Sequence, residues 1–230
     1  MCGRCTNKLS WSEIHALYRL TDTRPNIQPR YNIAPTQSVP VIRLGRDGQR
    51  ELAMLRWGLI PAWAKDEKIG YSTINARAEA VAAKPAFRDA YRHRRCIVPA
   101  SGFLEWRQEG RGKQPYHFHR EDERPLSLAG LWERWTRGAE PVESFTIIVT
   151  DANAAVRPFH ERMPVVLADD ALDTWLAPDP QPNDLATLLR PAEDDLLVAD
   201  RVSARVNNVQ NDDPDCLALA RGDGGDASPA

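Results

Sequence analysis

The sequence predicts an α+β fold in which mixed, largely antiparallel sheets curl into a barrel-like core with peripheral helices. Three observations point that way. At 230 residues the chain suits one sizeable domain with a buried core. At least six short runs have alternating or wholly apolar strand character, and short helical patterns fall irregularly between them. No regular strand–helix alternation is present, which argues against a doubly wound parallel sheet.

Taken in order, Ser10 and Glu13 have the spacing of a capping box, so the following IHALYRL reads as a short amphipathic helix. The Pro- and Asn-rich TDTRPNIQPRYNIAPTQ reads as loop or extended chain. SVPVIRL and ELAMLRWGLI flank the turn signal GRDG and read as a hairpin. PAWAKDEKIGYS is a loop leading to STINAR. EAVAAKPAFRDAYRHRR looks helical, with a boundary near Pro85, because proline disfavours helix in the residue before it. RCIVPASGFLEWRQ holds two short apolar runs. PYHFHRE, LSLAGLWERW and SFTIIVTDA read as three further strands, and ADDALDTWLAP and NDLATLLR as helices. LLVADRVSARVNN closes the ordered body. A single domain over residues 1–218 is expected, followed by a disordered tail over 219–230.

Hydrophobic residues make up 42% and charged residues 27%, ordinary for a soluble globular chain. A net charge of −2 excludes coating of nucleic acid by bulk charge while leaving room for a local basic groove. No apolar run is long enough to span a bilayer and no signal-peptide pattern follows Met1. A reducing, cytoplasmic setting without structural disulfides or a membrane is therefore expected.

The chemically telling stretch is MCGRC, residues 1–5. Loss of Met1 would leave Cys2 with an α-amine of pKa about 8 beside a thiol near 8.5, whereas a lysine at about 10.4 stays protonated. A neutral amine condenses with an aldehyde to an imine, and the neighbouring thiol then closes a five-membered thiazolidine with a large effective molarity. Gly3 would allow a ligand close to the backbone, and Arg4 could meet a phosphate. A frayed terminus without a role is the plain alternative. Metal binding by Cys2, Cys5, His117 and His119 is another, but a lone C-x-x-C is a weak signal and no second close pair is present.

The ordered set MCGR, RYNIAPTQ, RWGLIPAWAK, INARAE, RRCIVPASGFLEW, PFHERMPVVL and VSARVNNVQND resembles the SOS-response-associated peptidase (SRAP) family from residue 2 to about residue 216. The resemblance implies an N-terminal cysteine that captures the ring-opened aldehyde of an abasic site in single-stranded DNA, giving a covalent thiazolidine crosslink that shields the lesion. It also implies self-removal of Met1. It assigns Cys2, Asn75, Glu105 and His160 to catalysis. Arg4 and Arg77 are then phosphate contacts, Pro40 and Trp63 base contacts, and Arg162 an added positive charge in the groove. Neither metal nor cofactor is implied. The partner is single-stranded DNA bearing an abasic site, met by a monomer acting on chromosomal DNA in the cytoplasm.

The residues support these roles unequally. Glu105 sits between Leu104 and Trp106 and alternates with Phe103, an odd place for a carboxylate. Burial there would raise its pKa toward neutrality and suit it to proton transfer. Asn75, read alone, is as well explained by a turn, and His160 by a structural hydrogen bond. Lys84, Arg88, Arg92, Arg94 and Arg95, interleaved with Phe87 and Tyr91, read as a basic stripe or as an ordinary amphipathic helix. Cys5 departs from the family pattern. Two other classes stay open, an N-terminal-nucleophile or cysteine hydrolase using Cys2 with His160, and a non-enzymatic DNA- or metal-binding module.

Overall fold

The computed structural model describes residues 2–21 and 27–220. Its strands and helices, in chain order, are β1 (Cys5–Asn7), α1 (Trp11–Tyr18), β2 (Arg30–Ile33), β3 (Ser38–Leu44), β4 (Arg50–Trp57) and β5 (Asn75–Arg77). Next come α2 (Arg88–His93), β6 (Arg95–Ala100), β7 (Gly102–Glu109), β8 (Gly112–His119), β9 (Leu126–Trp135) and β10 (Val142–Asp151). The chain continues through β11 (Arg162–Pro164), β12 (Val166–Leu167), α3 (Leu172–Leu176), α4 (Pro182–Leu188) and β13 (Val198–Arg201).

Strands β10, β4, β3, β6 and β9 lie side by side in that order, and β9 pairs back onto β10, closing a five-stranded barrel. A second sheet runs β13-β8-β7-β1-β2. Every pairing is antiparallel except those of β10 with β4 and with β5. This is the α+β, barrel-like, largely antiparallel architecture expected from the sequence.

Side-chain alternation sorts the barrel strands into two faces. Val39, Val41, Leu55, Trp57, Val98, Leu128, Phe145 and Ile147 point inward, where Phe103 and Phe118 of the second sheet meet them. Ile42, Ile97, Leu131 and Ile148 point outward under Ile14 and Tyr18 of α1, Tyr91 of α2, Trp175 of α3 and Leu185 of α4. Burial on both sides explains why, after Arg95, RCIVPA is apolar instead of alternating. The far side of the second sheet carries Leu104, which packs with Val202, Val206 and Cys216 of the C-terminal segment.

Helix α1, eight residues long, would not persist alone in water. Its capping box is present as expected, with the Ser10 side chain accepting from the Glu13 amide and Glu13 accepting from the Ser10 amide. The predicted hairpin is β3–β4, in register from Ser38↔Arg56 to Leu44↔Arg50.

Several expectations change. The helix over 79–95 shrinks to α2, because the Ala80 carbonyl accepts only from the Ala83 and Lys84 amides and the ladder stops at Pro85, which has no N–H to give. The helix over 168–178 splits into a 3-10 turn, Asp169–Ala171, and the short α3. Strands β1, β2, β11 and β12 have only two to four residues each and carry too little pattern to be seen. Residues 219 and 220, assigned to the tail, still join the fold: Leu219 bridges Val202 and the Ala220 amide donates to Arg201. Residues 221–230 lie outside the described residues.

Candidate active site

Cys2 is fully buried and belongs to the cluster inside the barrel, in company with Trp57, Phe103, Phe118, Phe145 and Ile147. The segment is held there by β1, where Cys5 pairs with both Ile33 and Phe103, and by the Leu104 amide donating to the Arg4 carbonyl at 3.0 Å. Burial pushes the Cys2 thiol well above its ordinary value, and the neighbouring Cys5 and Glu105 push it the same way. Burial likewise lifts the Cys5 thiol to about 12.

Three further segments reach the same cluster. Ile74 packs against it, and the next residue, Asn75, lies opposite Ile147 in the β5–β10 register. The Asn75 amide nitrogen donates to the Ile74 carbonyl at 3.0 Å, while its Oδ1 is buried without a hydrogen-bond partner among the described residues. An acceptor left so is costly unless a ligand or water completes it.

Glu105 stands on the inner face of β7 two residues after Phe103, opposite Tyr116, and is 6% exposed. Burial raises its carboxyl pKa to about 7, against the lowering pull of the amino-terminal charge. Phe159 packs edge-on against Tyr116 and Phe118, placing His160 at the same interior. The Arg162 amide donates to His160 Nδ1 at 2.9 Å, so the neutral ring carries its proton on Nε2. Burial, followed by the amino-terminal charge, lowers the His160 pKa and favours that neutral form.

The residues expected to touch DNA are placed less uniformly. Arg77 ends β5 exposed, on the same strand face as Asn75, and makes no ion pair with a described residue. Trp63 is 52% exposed, its indole nitrogen donating to the Pro85 carbonyl at 3.3 Å. Pro40 is buried in β3, paired with the exposed Met54. Arg162 is held by Glu79 at 2.6 Å and Asp151 at 3.0 Å, so its charge is already neutralised.

Arg4 turns to the far side of the second sheet, donating to Asn32 Oδ1 at 2.5 Å and to the Val206 carbonyl at 2.8 Å. The basic stripe resolves mostly into structure. Phe87 and Tyr91 are buried, Arg94 pairs with Asp89 and Glu133, and Arg95 donates to four backbone carbonyls.

His117 and His119 stack at 5.1 Å, yet they do not join the cysteines. His117 Nε2 lies 3.0 Å from Thr6 Oγ1, and His119 meets Asp200. Gly102 makes room for the His117 ring, since a Cβ there would stand 2.3 Å from Nε2. Among the described residues no cluster of three or more His, Cys, Asp or Glu could hold a metal ion. Sequence reasoning missed Asn32, fully buried and saturated with partners. Its only sequence signal is that it lies in RYNIAPTQ, one of the segments that carry the family resemblance.

The profile of the SOS response associated peptidase (SRAP) family matches residues 1–209. The chain belongs to the SRAP family. Among SRAP relatives, the abasic site processing protein YoaM of Bacillus subtilis is 40% identical over 94% of this chain and 97% of its own length. The abasic site processing protein HMCES of Gallus gallus is 33% identical, matching 94% of this chain and 77% of its own. A crystal structure of a Bacteroides thetaiotaomicron protein superposes with a TM-score of 0.87 at 29% identity, covering 96% of this chain and all of that one. No helix among the described residues is long and apolar enough to cross a membrane.

Proposed function

We propose that this SRAP chain processes abasic sites in DNA. Cys2, freed by loss of Met1, captures the ring-opened aldehyde of the lesion in single-stranded DNA as a thiazolidine. The observation that carries the reading is the convergence of the chain's second residue with the segments bearing Asn75, Glu105 and His160 on one interior cluster. Abasic-site processing is also what the names of the relatives state.

The chemistry balances without a redox step. The Cys2 amine adds to the aldehyde carbon, and the carbinolamine loses water to give an imine. The thiol sulfur then adds to the carbon of the protonated imine, whose nitrogen keeps its own proton while the thiol gives up its proton. Glu105, near half-protonated at neutral pH, donates the proton that lets water leave and takes up the one the thiol gives up. The Asn75 Oδ1 accepts from a hydroxyl of the opened sugar, and the His160 Nε2–H donates to a sugar or phosphate oxygen. Arg77 meets a phosphate and the exposed Trp63 meets bases, whereas Arg4 on the far side of the second sheet and the buried Pro40 serve the fold. β-Elimination from the imine is a lyase-like side path.

A cysteine hydrolase is disfavoured by the same environment. It needs a thiolate at rest, whereas burial here lifts the Cys2 thiol and keeps His160 neutral. In thiazolidine formation the amine attacks first and the thiol acts only after the imine exists.

The test is to incubate Met1-processed protein with single-stranded DNA bearing one abasic site and resolve wild type, Cys2→Ala and Cys5→Ala on a denaturing gel. A covalent band without borohydride, lost only with Cys2→Ala, is expected. Its absence from processed wild type would overturn the proposal.

A further inference from the structure

The second sheet has two faces, and the reactive groups use only one. Cys2 and Glu105 lie on the inner face, while Arg4, Leu104 and Trp106, their near neighbours in sequence, lie on the outer face. The outer face is covered by the C-terminal segment, which grips it through polar bonds as well as packing.

Asn32 is the hub of that grip. It is fully buried, receives Arg4 on Oδ1, and donates from Nδ2 toward the carbonyls of Val206, Asn208 and Asn211 at 3.1, 3.0 and 2.7 Å. Asp212 completes it by accepting from the Tyr31 and Asn32 amides at 2.6 and 2.9 Å and from the Arg30 side chain. Beside this hub, Trp106 donates from its indole nitrogen to Asn207 Oδ1 at 2.7 Å, and the Arg4 guanidinium lies 5.3 Å from the centre of the Trp106 ring.

We propose that Asn32 and Asn207 are positioning residues of the reactive centre. The 206–212 segment acts as a back-plate, fixing Arg4 and Trp106 from behind so that Cys2 and Glu105 keep their relation in front. A chain terminus otherwise frays, and a nucleophile carried on the second residue needs an anchor close by. Arg4 is that anchor, two residues away, and Trp106 adjoins the proton-transferring carboxyl. Neither Asn32 nor Asn207 need touch the DNA.

This inference rests on the crosslinking reading above, and the experiment separates the two. Met1-processed wild type, Asn207→Ala, Asn32→Ala and the milder Asp212→Asn are compared in single-turnover crosslinking at saturating abasic single-stranded DNA. Affinity for undamaged single-stranded DNA is measured alongside. Asn207 is exposed, so its variant is expected to fold normally.

The expected result is a crosslinking rate lowered roughly 10- to 100-fold, the scale of a small misplacement at a reacting centre, with unchanged affinity for undamaged DNA. In a Glu105→Gln background Asn207→Ala should add little, because its effect passes through that carboxyl. A merely structural role would lower the melting temperature without this coupling. An unchanged rate at saturation, a loss confined to DNA affinity, or full additivity with Glu105→Gln would overturn the inference while leaving the proposed function standing. Absence of crosslinking by wild type would overturn both.

Discussion

Glu105 is a carboxylic acid that the fold holds half-neutral, and the consequence can be read in two ways. In the proposed reaction, Glu105→Gln removes the group that would carry protons on and off the carbinolamine. Crosslinking should slow by roughly 10²- to 10⁴-fold, and the inflection of the rate near pH 7 should vanish. In stability the sign follows from the raised pKa, about 7 against a reference of 4.5. Below about 4.5 the carboxyl is neutral in both states and burial adds no charge penalty. Between 4.5 and 7 the unfolded chain ionises first, and above 7 the penalty is complete. Glu105→Gln should therefore gain stability over wild type as pH rises through that window, by ~3 kcal/mol at most. Denaturant midpoints at pH 4 and pH 8 check this, and an equal difference at both would refute it. The odd placement of this acid was visible in SGFLEW because Phe103, Leu104 and Trp106 around it are all apolar. Asn32 was not visible, since an asparagine among prolines reads as turn until its three carbonyl partners, 174 to 179 residues away, are brought to it.

Among the elements, legibility followed length and local chemistry. The β3–β4 hairpin was plain because GRDG and two long apolar runs specify it locally, and α1 because its cap is encoded within four residues. The three-residue β5 was not read as a strand, although it carries Asn75 to the site. It exists only because β10 offers it an edge, and β10 is made some seventy residues later. The same separation of local from long-range causes yields a prediction. Ser10→Ala deletes the cap of α1, which packs on the outside of the barrel, away from Cys2. Stability should fall by about 1 kcal/mol with crosslinking unchanged, as thermal denaturation and the gel assay together would show.

For the molecule as a whole, charge distinguishes the two arginines proposed to face DNA. Arg162 is already held by Glu79 and Asp151, whereas Arg77 is exposed with no ion pair to a described residue. Replacing Arg77 by alanine should flatten the dependence of log affinity on log salt for single-stranded DNA by ~0.7, one phosphate contact, and Arg162→Ala should leave the slope unchanged. The family resemblance implied a phosphate contact for Arg77 and an added positive charge in the groove for Arg162, and nothing in PFHERMP reveals that Glu79 comes to lie across from Arg162.

The grip of Asn32 and the 206–212 segment on Arg4 also sets an order in time. A ribosome makes residue 206 a full 202 residues after residue 4, at roughly 5–20 residues per second. For roughly 10–40 s of synthesis at that pace, the nascent amino end has no back-plate to fasten it. Synthesis thus keeps the proposed reactive end unassembled until residues 206–212 have been made, so the centre would become competent only once its own back-plate exists to fasten it.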